Sequence, residues 1–330
     1  MSTTIVRRAL PIALLTTSLF VSGCSASHKT PAGTDNTAAA SSRSSSPSPQ
    51  RPDGISSMGS TVAVADGAWT VRLQGFTRLP PGAESGTPTG WNTYTVRLTL
   101  TNQRAEIATA PDTELTARYG ELGRQAKAAG SEDKTAARSG ESEPARVRPN
   151  GSITTQVRLA FPAAADGQRV TVTAETTQEG LAEPESLFFE GTLPGRTAAA
   201  SSEAPRVGSS AGQGVTQLGQ WHADSVRLST VSVTGSSSTR TAELELSVAN
   251  RDADPMTGLG TTLRVFTGQD LHLAATIHPV YGYHDAAIAP HRTATQTVSF
   301  QVPKSAVGGP LTIEAVGADG SRVTFEGRLG

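Results

Sequence analysis

Four of the six histidines fall in one short stretch, as His272, His278, His284 and His291. Imidazole is a common ligand for zinc and copper. One chemistry open to this stretch is therefore a site that captures or buffers either metal. The spacings of six, six and seven residues match no compact signature such as H-E-x-x-H. Pro279 follows His278 directly, so His272 and His278 share a strand face only if the strand runs unbroken. A second chemistry is recognition: Tyr281, Tyr283 and His284 offer large contact area with polar tips. The plainer alternative has one tyrosine packed on a sheet edge and the other exposed. Asp252 and Asp254 supply carboxylates for calcium, without the further oxygens and glycine of an EF-hand loop. Gly208-Ser209-Ser210-Ala211-Gly212 matches G-x-S-x-G in form, yet no strand precedes it and no helix follows, as a nucleophile elbow needs. No nucleophile is paired with a base. The reading is non-enzymatic, with no cofactor.

Cys24 is the only cysteine, and it closes the run Val21-Ser22-Gly23-Cys24. Before it stand Arg7-Arg8 and an apolar stretch from Ala9 to Val21, the layout of a secretory signal. That stretch is about 13 residues long and interrupted by Thr16, Thr17 and Ser18, too short and polar to span a bilayer comfortably. A cysteine at the cut site resembles the lipobox of bacterial lipoproteins. The resemblance implies that Cys24 is lipidated and anchors the chain to the outer face of the cytoplasmic membrane. Each buried methylene adds about 0.8 kcal/mol, so two or three acyl chains hold firmly. Arg7-Arg8 also reads as a twin-arginine export signal, with Val6 where a polar residue is usual.

Loss of residues 1–23 removes two arginines and moves the formal charge from −1 to −3. With no basic stripe, no nucleic-acid partner is expected. High Ala, Thr and Gly and an excess of arginine over lysine suggest a high-GC, actinobacterial source. Residues 25–58 are dominated by Ser, Ala, Thr and Pro without apolar periodicity. Such a segment cannot offset its ordering entropy and reads as a disordered tether, reaching roughly 30–35 Å. A second low-complexity stretch, 194–214, separates two halves.

The halves overlay as an internal duplication. Gly67-Ala68-Trp69 aligns with Gly219-Gln220-Trp221, and the run ending at Asn102 aligns with the run ending at Asn250. Pro149 and Pro290 each precede Pro162 and Pro303 by 13 residues. Phe189-Glu190-Gly191 matches Phe325-Glu326-Gly327. Trp69 and Trp221 are expected to fill equivalent core positions.

Tyr94, Val96, Leu98 and Leu100 alternate with polar residues, as do Leu244, Leu246 and Val248, Val157, Leu159 and Phe161, and Val298, Phe300 and Val302. Period two means one buried and one wet face. Between Val226 and Val233 the apolar phase slips by one, which predicts a β-bulge. The polar stretch Glu121–Arg148 reads as a solvated loop with some helical tendency, and Leu271, Leu273 and Ala275 suggest a strand. About seven strands per copy point to antiparallel sandwiches.

Strands ending in Thr99-Leu100-Thr101-Asn102 and Ser247-Val248-Ala249-Asn250, and later strands ending in Phe161-Pro162 and Phe300-Gln301-Val302-Pro303, resemble the domains known as DUF4352 in Gram-positive lipoproteins. The resemblance implies an all-β protein with two tandem antiparallel immunoglobulin-like β-sandwich domains, and transfers no catalytic residue. The expected organisation is signal peptide 1–23, lipidated Cys24 and tether 24–58, first domain 59–193, linker 194–214 and second domain 215–330. The expected function is non-enzymatic binding of an envelope protein or wall glycan, through Tyr281, Tyr283 and His284. The alternative is a zinc or copper site on the four histidines.

Overall fold

A computed structural model describes residues 54–80, 87–129, 136–138, 145–178, 184–195, 215–257, 260–280, 286–317 and 320–330. The chain divides into two compact units, Met1–Ser45 and Ser46–Gly330, and every described residue belongs to the second. Among the described residues, the elements are all strands apart from two single-turn 3-10 helices.

The first half holds β1 (Ile55–Ser57), β2 (Thr61–Val64), β3 (Trp69–Leu73), β4 (Thr77–Arg78) and β5 (Trp91–Asn102). It continues with β6 (Ala108–Thr109), β7 (Asp112–Tyr119), β8 (Arg124–Gln125), β9 (Lys127–Ala128) and β10 (Ala136–Arg138). It closes with β11 (Arg146–Val147), β12 (Ser152–Pro162), β13 (Arg169–Thr177) and β14 (Glu185–Thr192). The second half holds β15 (Thr216–Gln217), β16 (Trp221–His222), β17 (Val226–Leu228), β18 (Ser232–Thr234) and β19 (Thr239–Ala249). After them come β20 (Thr261–Thr267), β21 (His272–Val280), β22 (Thr293–Pro303), β23 (Pro310–Val316) and β24 (Arg322–Arg328).

In the first half, β2-β3-β5-β12-β9 form one sheet and β1-β14-β13-β7-β8 another. Alternation decides what lies between them. Tyr94, Val96, Leu98 and Val71 from one sheet meet Leu115, Val170, Val172 and Phe189 from the other in a single buried cluster. Each such side chain contributes about 1.5–3 kcal/mol on leaving water. The second half repeats the plan with β15-β24-β23-β20-β21 against the β22-β19-β17-β16 run, around Leu244, Leu246, Val265, Ile313 and Phe325.

Hydrogen bonding places the duplication in register. Gly59 N–H donates to Leu73 O and Gly219 N–H to Leu228 O, both at 2.6 Å. The Nε of Arg72 and of Arg227 donate to Gly59 O and Gly219 O, both at 2.9 Å. Gly59 is therefore the counterpart of Gly219, which corrects the sequence overlay of Gly67 on Gly219. The consequence falls on the tryptophans. Trp69 is fully buried in the first core, whereas Trp221 lies outside the second core, packed on Leu122 and Ala249. The predicted slip is present in both copies. Five residues, Leu73 to Thr77, face four, Leu98 to Thr95, and Leu228 to Ser232 faces Leu246 to Glu243 likewise.

Composition misassigned two segments. Ile55–Ser57, placed in the tether, form a strand parallel to β14, with Ile55 wholly buried. Glu121–Ala129, read as a solvated loop, carries β8 and β9 and clasps the second half. Leu271 and Leu273 flank the start of the predicted strand β21, but both face solvent, at 54% and 59% exposure.

Candidate functional site at the seam between the halves

The two halves are stitched together where the connection between β21 and β22 descends onto the first half. Thr295 on β22 donates its N–H to Gly123 O at 3.0 Å and its hydroxyl to Leu122 O at 2.5 Å. That contact pairs β22 with β8 in parallel and runs one sheet through both halves. Leu122 then packs against Trp221 and Ala249. Beside them, Arg124 grips both carboxylate oxygens of Glu245 at 2.9 and 3.1 Å. Tyr119 stands next to this pair, and burial pushes its phenol above the usual range, Arg124 opposing and Glu245 reinforcing the shift.

The second part of the seam holds the chain just after position 285. Arg118, buried on β7, donates to Ala287 O at 3.0 Å and Ala286 O at 2.8 Å. Ala287 N–H donates to Glu175 Oε1 at 3.2 Å. Ala287 and Ala289 pack on Ile55 and Phe188. Further along, Arg292 meets Glu190 at 2.6 Å with both side chains mostly covered. Peptide carbonyls and N–H groups so buried need partners, and here the first half supplies them. A small polar cleft of about 60 Å³ remains beside Arg118, Arg169 and Arg292.

The sequence candidates divide accordingly. Tyr281, Tyr283 and His284 lie outside the described residues, as does Cys24. His272 begins β21 and is exposed, paired in the ladder with Thr267. His278 lies within β21, on backbone placement alone. His291 is exposed in a turn with φ +54°. Among the described residues, no three His, Cys, Asp or Glu side chains gather as metal ligands would. The turn gives His291 another role. Asn250 N–H donates to Arg292 O, as Asn102 N–H does to Gly151 O, so His291 occupies the place of Asn150, at φ +57°. The backbone N–H of Asp252 donates to Asn250 Oδ1 at 3.0 Å.

Sequence reasoning missed the seam because its hydrogen-bonded partners lie between 102 and 173 positions apart and show no local pattern. The one available signal was Gly-x-x-Gly at 120–123 in a stretch otherwise treated as variable.

No protein-family model matches the chain, and no curated protein matches it. Among solved structures, a Bacillus subtilis protein described as a lipoprotein is 10% identical over 59% of this chain and 74% of that one, at a TM-score of 0.30. An uncharacterized β-sandwich protein of Clostridium difficile is 9% identical over 43% of this chain and 96% of its own, at 0.24. A red sea bream transglutaminase is 14% identical over 78% of this chain, at 0.21, and the chain spans 31% of the enzyme's length. Scores of this size assign neither family nor activity.

Proposed function

We propose that this protein is a membrane-anchored extracellular lipoprotein, a non-enzymatic binding module for a cell-envelope component or protein, built on two tandem immunoglobulin-like sandwich domains. The lipobox at Cys24 and the polar tether support the anchor and the location. The binding reading rests on one observation. The Tyr/His-bearing stretch 281–285 is followed at once by Ala286 and Ala287, which Arg118 and Glu175 of the other half fix in place. A contact segment whose next residues are held by the other half loses less entropy on binding than one left free at its root.

The anchor is tested by feeding an alkyne-tagged palmitate to cells producing the full chain. Cys24→Ala should abolish labelling and release the protein to the medium. Binding is tested in the same cells with a photoreactive phenylalanine at position 281 or 283, against a control at the exposed Ile107. A discrete envelope adduct from 281 or 283 alone supports the reading, and equal or absent crosslinking at all three sites refutes it.

A further inference from the structure

The two copies differ at one end of their cores. In the first half, four rings fill that end: Phe161 meets Phe76, Tyr94 and Tyr119 edge-on, at centroid distances of 5.7–5.8 Å. An acid caps them. Asp166 accepts from the Tyr94 hydroxyl, from Asn92 Nδ2 at 3.2 Å and from Arg78 at 3.2 Å.

Strand register identifies the counterparts in the second half. Asn92 pairs with Phe161 and Arg240 with Val302 on the two long hairpins, so Phe76, Tyr94, Phe161 and Tyr119 become Val231, Ala242, Val302 and Thr267. The 3-10 turn that ends at Asp166 ends at Val307 in the second copy. Large rings and the acid are gone together, while Arg240 stands where Asn92 stood and Lys304 has been added beside it. Between Val231, Val233, Arg240, Lys304, Val307 and Gly330 lies an open groove of about 470 Å³. That volume lies within the range of small-molecule sites. Arg240 is half-buried, and neither it nor Lys304 has an ion pair or side-chain hydrogen bond among the described residues. A half-buried guanidinium without an anion is poorly solvated and poorly paired, which favours an incoming carboxylate or phosphate.

We infer that this groove binds an amphipathic anion, its apolar tail on Val231, Val233 and Val307 and its carboxylate or phosphate head on Arg240 and Lys304. The ligand's head would take the part that Asp166 plays in the first half. The site lies apart from the seam and does not depend on the partner proposed above.

The chain carrying Cys24→Ala, which lacks the lipid, is titrated calorimetrically with decanoate, monodecyl phosphate, decanol and acetate, all below micellar concentration. One or both of the decyl anions should bind at least tenfold more tightly than decanol or acetate, and which of the two binds better tells a fatty-acid head from a phosphate head. Arg240→Gln/Lys304→Gln should weaken the preferred anion at least tenfold with decanol unchanged. Val307→Asp, which restores the acid of the first half, should do the same with the groove's other walls intact. Unfolding midpoints within a degree or two of the parent show that both variants are folded. No preference for the decyl anions over decanol, or wild-type affinity in both variants, overturns the inference.

Discussion

A side chain on Gly123 would collide with the backbone of Thr293: an ideal Cβ there stands 1.7 Å from the Thr293 carbonyl oxygen. Gly123 also sits at φ +61°, where a Cβ is strained in any surroundings, at roughly 1–2 kcal/mol. The carbonyl cannot retreat without pulling Thr295 off Leu122 and Gly123. Gly123→Ala should therefore cost more than about 2 kcal/mol and uncouple the halves. Wild-type urea unfolding should be one transition and that of the variant two. A single transition at the wild-type midpoint would show that the seam yields easily.

Two ion pairs that cross the seam should not weigh alike. Arg124 and Glu245 are 43% and 29% exposed, so water and salt screen much of their attraction. Glu245→Gln should cost less than about 1 kcal/mol, a loss that fades in 1 M salt. Arg292 and Glu190 are 21% and 16% exposed, and Arg169 approaches the same carboxylate at 4.0 Å. Glu190→Gln should cost roughly 2 kcal/mol or more, because it removes the carboxylate that meets a mostly covered guanidinium at 2.6 Å. Urea midpoints at low and high salt would separate the two, and equal losses would contradict the ranking.

The strand-ending asparagines hold the same clamp in both copies. Asn102 Nδ2 donates to Glu106 O at 2.8 Å and Val147 O at 2.9 Å, while its Oδ1 accepts from Arg104 N–H at 2.9 Å. Asn250 does likewise with Asp254 O, Ile288 O and Asp252 N–H, at 2.8, 3.0 and 3.0 Å. Both are buried, and their bonds to Val147 O and Ile288 O are buried too, so truncation strands those carbonyls out of reach of water. Asn102→Ala and Asn250→Ala should each cost about 2–4 kcal/mol, at roughly 1–3 kcal/mol per unsatisfied group. Asn250→Asp should be no better, since it trades the donor for a buried charge. Denaturant titration of the three variants checks this.

Burial pushes the Tyr94 phenol up to about 12, helped by its hydrogen bond to Asp166 and that residue's charge. The raised value means the folded chain keeps the proton that the unfolded chain releases near pH 10. The stability from this group is thus complete below pH 10 and is lost as pH rises through 12. Tyr94→Phe should flatten that part of the alkaline limb in a series of urea midpoints from pH 9 to 12. An unchanged slope would assign the alkaline loss to other groups.

Much of the fold was legible because burial on one face writes period two directly into Tyr94–Leu100, Leu244–Val248 and Val298–Val302. The repeat was legible for a related reason: Asn102 and Asn250 recur because each clamps a loop and starts the same turn. The short motif Gly-x-Trp misled, since likeness of residue types overrode the hydrogen bonds that make Gly59 the counterpart of Gly219. The seam left no trace beyond Gly-x-x-Gly at 120–123, because Leu122, Gly123 and Arg124 gain their meaning from Thr295, Trp221 and Glu245 far along the chain. The groove beside Arg240 was equally hidden, visible only once register showed which rings the second copy had lost. Of the candidate residues, the histidine stretch was conspicuous by type, yet type does not distinguish a ligand from a turn residue.

His291 is the place where that distinction can be made. It holds φ +54° at the position where the first copy has Asn150 at φ +57°. Asn is several-fold enriched in this left-handed region, and β-branched residues are strongly disfavoured there. A residue chosen for the turn predicts that His291→Asn changes stability by less than about 0.5 kcal/mol, while His291→Val loses roughly 1–2 kcal/mol. A residue chosen as a ligand predicts something else. His291→Asn would then leave stability alone but abolish micromolar heats of Zn²⁺ or Cu²⁺ binding. The turn assignment expects any such heats to be the same in His291→Asn as in the parent. Titration of both metals into the two proteins, beside their urea midpoints, decides between the roles, because the turn governs only the midpoints and ligation only the heats.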